Sequence, residues 1–178
     1  MCNQKIYIFA ILNLKVNTKR CFTLEIVEQT EKVTIYSILF ENEEDSEFMK
    51  FIKKYSGIPS FIHDVQRIVY YIEKIKVNGV LERYFRPEGK PAQKIKAIPV
   101  ETNKLRLYAI RLSDNILILG NGGHKKTKTY NEDPVLNECV EHLVQLSFIL
   151  QLKIDAGVLK LEHNELLGIY LSILRSNS

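Results

Sequence analysis

Apolar residues in this chain change their period along its length, and the changes predict a sequence of elements. Cys21 to Val27 and Val33 to Phe40 are strand-like runs. Polar Glu28-Gln29-Thr30-Glu31-Lys32 separates them, which predicts a hairpin, and Lys5 to Val16 offers a further strand. The period then lengthens to that of a helix. Phe48, Phe51, Ile52 and Tyr55 form one apolar face, and Glu43, Glu44, Asp45 and Glu47 sit where the helix begins, complementing its dipole. Gly57 and Pro59 break the chain. A second helix follows from about Ser60 to Asn78, with Ile62, Val65, Ile68, Val69, Ile72 and Ile75 as its stripe and Asn78-Gly79 as its stop.

Alternation returns in Lys94 to Val100, Leu105 to Leu112 and Ile116 to Gly120, with Ser113-Asp114-Asn115 as a tight turn between the last two. Residues Asn121 to Asn131 are a polar extension, and the glycines Gly120, Gly122 and Gly123 permit positive φ where the strand leaves the sheet. Asp133-Pro134 opens a third helix, Asp at the cap and Pro at the first helical position. Val135, Leu136, Cys139, Val140, Leu143, Leu146 and Leu150 make its buried face, so Cys139 reads as a small core residue rather than a nucleophile. Val158 to Ile173 reads as a hairpin turning at His163-Asn164, or as a short helix. The pattern predicts an α+β fold in one domain, 1–178. Two helices pack on a small antiparallel sheet in a core at 43–152, flanked by a β-rich N-terminal extension at 1–42 and a C-terminal tail at 153–178.

Composition changes this picture little. The 178 residues are 46% hydrophobic and 26% charged, ordinary for a globular protein with one core. Cys2, Cys21 and Cys139 are widely spaced, without a C-x-x-C, and read as free thiols of a reducing, cytoplasmic compartment. The apolar run Ile6 to Leu14, interrupted by Asn13, is too short to span a bilayer and no small-residue cleavage site follows it, so no membrane association is expected, with a signal peptide as the alternative.

Charge changes it more. Eleven Lys and Arg against Glu88, Glu101 and Asp114 give Arg83 to Tyr130 a net +8, while the whole chain carries only +4. A basic region on an otherwise mildly acidic protein attracts polyanions, nucleic acid first among them. The same residues also read as a solvated strand face.

Motifs for nucleotide or metal chemistry fail on spacing. Gly120-Asn121-Gly122-Gly123-His124-Lys125-Lys126-Thr127 resembles a phosphate loop, but Walker A needs Gly directly before Lys-Ser/Thr and a helix directly after. His63, His124, His142 and His163 lack ligand partners at helical spacing, and His142 beside Glu138 reads as a surface pair. No cofactor or metal is expected. A different set is suggestive. Lys94 and Lys96 alternate onto one strand face, Arg106 and Tyr108 share another, and Lys125, Lys126, Lys128 and Tyr130 follow the adjoining strand. Converging, these cations and a phenol suit metal-independent RNA cleavage, in which a ribose 2′-OH attacks its own phosphate. Arg stabilises the phosphoryl charge and a Lys among other cations transfers protons. Tyr130 stacks on a base or joins the proton transfer.

Two helices, an antiparallel sheet and a Lys-rich strand end resemble the RelE/HigB-like toxins of bacterial toxin–antitoxin systems, over roughly residues 44–150. The carriers are Lys94-Ile95-Lys96, Leu105-Arg106-Leu107-Tyr108, the apolar run Ile116 to Leu119, and Lys125 to Tyr130. The resemblance implies an endoribonuclease that cuts mRNA on the ribosome and is held inactive by a partner antitoxin. It implies Arg106 on the scissile phosphate, Lys94 and Lys96 in proton transfer and charge stabilisation, and Lys126 and Tyr130 completing the catalytic set. Arg83, Arg86, Lys104, Tyr108, His124, Lys125 and Lys128 would hold RNA around it. The alternative is a non-catalytic RNA- or protein-binding module on the same fold, of mobile-element origin. Convergence of the catalytic set discriminates the two.

Overall fold

A computed structural model describes residues 11–13, 19–87, 94–99, 105–127 and 129–168. In chain order the elements are β1 (Ile11–Asn13), β2 (Lys19–Gln29), β3 (Thr34–Phe40), α1 (Glu47–Tyr55), α2 (Ile62–Asn78), β4 (Arg86–Pro87), β5 (Ile95–Ile98), β6 (Leu105–Arg111), β7 (Ile116–His124), α3 (Pro134–Asp155), β8 (Leu159–Glu162) and β9 (Glu165–Gly168). Short 3₁₀ turns at Pro59–Phe61, Glu82–Tyr84 and Tyr130–Glu132 join them. The fold is α+β.

The sheet is larger than the small antiparallel one expected, and it is mixed. Seven strands run in the order β1-β2-β3-β7-β6-β5-β4. Neighbours are antiparallel except β3 and β7, which are parallel. The segment expected as an N-terminal extension therefore supplies three strands of the sheet, from the edge strand β1 to the interior strand β3. The physical reason is visible in β3, where all seven residues are buried. A strand covered on both faces belongs inside a sheet, not on a periphery.

Two cores result. On one face α1 and α2 bury Phe48, Phe51, Tyr55, Val65, Ile68, Ile72 and Ile75 against Ile35, Leu107, Leu117 and Leu119 of the sheet. On the other, α3 buries Leu136, Val140, Leu143, Leu146 and Leu150 against Tyr36, Ile38, Tyr108, Ile110 and Ile118. The order is helix, sheet, helix. Each fully buried Leu or Ile contributes about 1.5–3 kcal/mol over its exposed state. Val69, Ile62 and Val135, assigned to helix stripes from spacing, are exposed instead. Buried polar groups tie the layers. The Ser37 hydroxyl donates to the Leu119 carbonyl at 3.0 Å and accepts from the Phe48 amide at 3.1 Å, joining β3, β7 and α1. The Asp64 carboxylate of α2 accepts from the Leu105 amide at 3.0 Å.

Helix ends follow the sequence. Asp133 caps α3, its carboxylate accepting from the Val135 amide at 3.0 Å and the Leu136 amide at 3.2 Å. The first helix starts at Glu47, the last residue of its acidic run. Ser46 precedes it, and Glu43 and Asp45 reach back to Lys50 and Lys53 from outside. β8 and β9 form the expected hairpin, turning at His163-Asn164 with His163 at φ 50°. Asn164 donates to the Thr30 carbonyl at 2.8 Å, fastening the hairpin to the β2–β3 turn.

The glycines of β7 correct another expectation. β7 runs on to His124, so Gly120, Gly122 and Gly123 lie within a strand. None is among the residues with positive φ. They are required by close approach. A Cβ on Gly122 would lie 1.8 Å from the Arg106 carbonyl oxygen, and one on Gly120 would lie 2.9 Å from Leu143 of α3. The register against β6 shifts between Leu107 and Ala109, opposite Gly122 and Leu119, so β7 carries a bulge at Gly120-Asn121.

Candidate nucleic-acid interface

Side-chain alternation decides which predicted site residues can meet. In β6, Leu105, Leu107 and Ala109 face the α1–α2 core, so Arg106, Tyr108 and Ile110 face α3. In β5, Ile95 and Ala97 face α3, so Lys96 faces the α2 side with Ile98. Lys96 and Arg106 thus leave the sheet from opposite faces. Lys96 pairs with Glu82, which Arg111 also approaches at 3.5 Å. The hydrogen bond from Lys96, with that charge and the Arg111 charge, holds the Glu82 carboxyl below its ordinary value, against the pull of burial. Arg111 completes the group by donating to the Val80 carbonyl at 2.7 Å and pairing with Asp114. Lys96 is therefore part of an ion-pair network that fastens the end of α2 to the sheet.

Lys94 does not share its face as alternation predicted. It precedes β5 with φ 55°, left-handed backbone that breaks the strand period, and it is exposed. It also sits at the wrong end. Ile95 pairs with Ile110, whereas His124 pairs with Leu105, so Ile95 and His124 are separated by about 17 Å along the strand direction, and Lys94 and Lys125 lie beyond them at opposite ends.

What the fold does bring together is Arg106, Tyr108 and Tyr130, all on the α3 side. The Tyr108 and Tyr130 rings meet edge to face at 6.2 Å. Tyr108 is fully buried, and Arg106 is only 5% exposed, with Nη1 donating to the Leu105 carbonyl at 3.1 Å. Beside them, just past β7, Lys126 is exposed and Lys125 half-buried. Among the described residues neither lysine has a carboxylate partner. His124 turns to the other face and packs edge-on to Phe61 at 4.9 Å. Arg83 and Arg86 are exposed on the far edge of the sheet, in the turn before β4 and in β4 itself. Lys104 and Lys128 lie outside the described residues.

Sequence reasoning missed a polar cluster at the carboxyl ends of β3 and β7. β3 leads to α1 on one face and β7 to α3 on the other, so the two parallel strands diverge there, the position where open sheets place ligands. Buried Glu47 accepts from Lys50 Nζ at 2.6 Å and from Asn121 Nδ2 at 2.9 Å. Burial pulls the Lys50 ammonium down, but hydrogen bonds to Glu43 and Glu47 hold it above its ordinary value. On the α3 side, burial, aided by the Glu47 and Glu138 charges, pushes the Cys139 thiol up to about 12, so no thiolate nucleophile is available near neutral pH. His142, read as a surface residue, is buried. Its ring lies 5.1 Å from that of Phe40, and its Nε2 lies 3.9 Å from Glu138. The only sequence signals for this cluster were a Glu early in α1 and an Asn between glycines.

Among the described residues no group of three or more His, Cys, Asp or Glu is placed to hold a metal ion, and no helix is long and apolar enough to cross a membrane. No protein-family model, curated protein sequence or solved structure matches the chain.

Proposed function

We propose that the chain is a non-catalytic RNA-binding module on a RelE/HigB-like fold, acting in the cytoplasm beside a partner of antitoxin type. The order of two helices, the antiparallel run β5-β6-β7 and then α3 supports the family resemblance. The observation that carries the functional reading is the departure of Lys96 and Arg106 from opposite faces of the sheet. A phosphate held by one cannot be reached by the other, and Lys94 stands a sheet-length away. Cleavage needs reacting and assisting groups within hydrogen-bond reach of one phosphate. Binding needs only accessible cations and a ring to stack on, which exposed Lys126 and half-buried Lys125 and Tyr130 supply at one end of the sheet.

The ribonuclease reading retains one specific support, the shared face of Arg106, Tyr108 and Tyr130. One experiment separates the two. The chain is expressed without any antitoxin, growth is followed, and mRNA ends on translating ribosomes are mapped. In parallel the purified protein is titrated with RNA. Binding without new mRNA ends is expected. New 5′-hydroxyl ends that vanish in Arg106→Ala, with that variant still folded, would overturn the proposal in favour of the nuclease.

A further inference from the structure

The outer face of α2 carries an arrangement that the sheet-end site does not use. Arg67 lies with its guanidinium carbon 5.2 Å from the Tyr70 ring centroid and 5.0 Å from that of Tyr71. Lys74 Nζ lies 5.3 Å from the Tyr70 centroid on the far side of that ring in sequence. Tyr71 meets Tyr84 of the Glu82–Tyr84 turn at 6.1 Å, and the Arg83 guanidinium lies 5.3 Å from the Tyr84 centroid. Lys74, Tyr70, Arg67, Tyr71, Tyr84 and Arg83 thus form one continuous ladder of cations and rings.

Helical spacing builds it. Residues 67, 70, 71 and 74 share one face of α2, opposite the stripe of Val65, Ile68, Ile72 and Ile75 that packs on the sheet. Tyr71 and Tyr84 rest partly on that core, which fixes the ladder's base, while Tyr70 is 47% exposed. Among the described residues, Glu73 pairs with Lys76, Glu82 with Lys96 and Arg111, and Asp64 accepts from the Leu105 amide, while Lys74 and Arg83 have no carboxylate partner. The face is therefore aromatic and cationic. Packing on the core does not account for the exposed Tyr70.

We propose that this ladder is a second RNA-binding face, on which unpaired bases stack against Tyr70 and Tyr84 while Lys74 and Arg83 meet the flanking phosphates. Stacking on a ring tolerates any base, and nearby cations track the backbone, the combination by which proteins hold single strands without reading sequence. A duplex keeps its bases stacked on one another and cannot use the rings. The face lies on the side of the sheet opposite Tyr130, so one strand would have to wrap an edge to touch both sites. The inference rests on the RNA-binding reading above, but not on the sheet-end residues.

The test is fluorescence anisotropy with a labelled 12-nucleotide oligouridylate, at fixed low salt, with wild type, Tyr70→Ala, Tyr70→Phe, Lys74→Glu and the double variant Lys125→Glu/Lys126→Glu. The chain holds nine Tyr and no Trp, so quenching of intrinsic tyrosine emission reports base stacking directly. Tyr70→Ala should bind roughly tenfold more weakly and lose part of the quenching, Tyr70→Phe should bind like wild type, and Lys74→Glu should weaken binding severalfold. A 12-base-pair RNA duplex should bind weakly and quench little. Unchanged affinity in both Tyr70→Ala and Lys74→Glu, or a duplex that quenches as the single strand does, would overturn the proposal. If those two bind normally and only the Lys125/Lys126 variant is impaired, the sheet-end reading stands and the ladder fails. If wild type binds neither RNA, both fall, and the face is left for a protein partner.

Discussion

At the scale of the residue, the glycines of β7 show most clearly how local chemistry was visible while its cause was not. Gly120, Gly122 and Gly123 stand out in the sequence, and glycine's freedom at positive φ is the usual reason for such a run. The cause here is a close approach to the Arg106 backbone and to Leu143, both distant in sequence, so no local pattern contained it. A comparison of two substitutions makes the point measurable. Gly122→Ala must push β6 from β7 and should lower the unfolding free energy by more than about 2 kcal/mol, read as a lower urea midpoint. Gly57→Ala meets no atom within 4 Å and needs no unusual φ, so it should leave stability unchanged or raise it by up to ~1 kcal/mol. Equal midpoints for the two variants would show that the bulge relaxes freely. His142 teaches the same lesson in reverse. Its i,i+4 partner Glu138 was legible, but burial against Phe40 depends on β3 lying beneath α3, which only the assembled sheet reveals.

At the scale of the element, strand and helix positions were largely legible because each carries its own period. Asp133 announced α3, Asn78-Gly79 ended α2, and Ser113-Asp114-Asn115 turned β6 into β7. The status of β2 and β3 was not, because alternation says where a strand runs and not what lies beside it. The parallel pairing of β3 with β7 joins residues about eighty positions apart. The β8–β9 hairpin is the element whose attachment is easiest to test. Leu159 and Leu166 enter the α3-side core, and the Leu166 amide donates to the Tyr36 hydroxyl at 3.3 Å. Tyr36→Phe leaves that amide without its acceptor and should cost about 1 kcal/mol, with faster amide exchange at Leu166. The tyrosine also predicts a pH dependence. Burial raises the Tyr36 phenol above its ordinary value, opposed by the Leu166 amide and aided by the Glu165 charge. The folded state then holds the proton to higher pH than the unfolded chain. This contribution is complete below the unfolded tyrosine range, about pH 10, and is lost as pH rises above it. Urea midpoints measured from pH 9 upwards should fall less steeply in Tyr36→Phe than in wild type. Parallel slopes would mean that Tyr36 ionises alike in both states.

At the scale of the whole molecule, the excess charge of residues 83–130 was legible in the sequence, but its distribution over the surface was not. A run of charge in one dimension divides in three. Lys96 and Arg111 are consumed by Glu82 and Asp114, Arg106 is buried on the α3 side, and Lys94 and Lys125 fall at opposite ends of the sheet. The cations left in water without a carboxylate among the described residues include Lys74, Arg83, Lys94, Lys125 and Lys126. They spread over two faces, so a strand of RNA held on one face meets only some of them. Each phosphate contact on a single strand releases a counterion, and log K falls against log salt with a slope of about −0.7 per contact. With three or four contacts the wild-type slope should lie near −2 to −3. Lys125→Glu/Lys126→Glu removes two of them and should flatten the slope by about 1.4 as well as lowering affinity. Arg106→Gln should change the slope little, because a buried guanidinium releases no counterion from an exposed phosphate. Titrations at four salt concentrations decide the matter. Binding indifferent to salt would sink the electrostatic account, and a slope that flattens in Arg106→Gln as much as in the double lysine variant would mean that Arg106 meets the phosphate after all, as the nuclease reading requires.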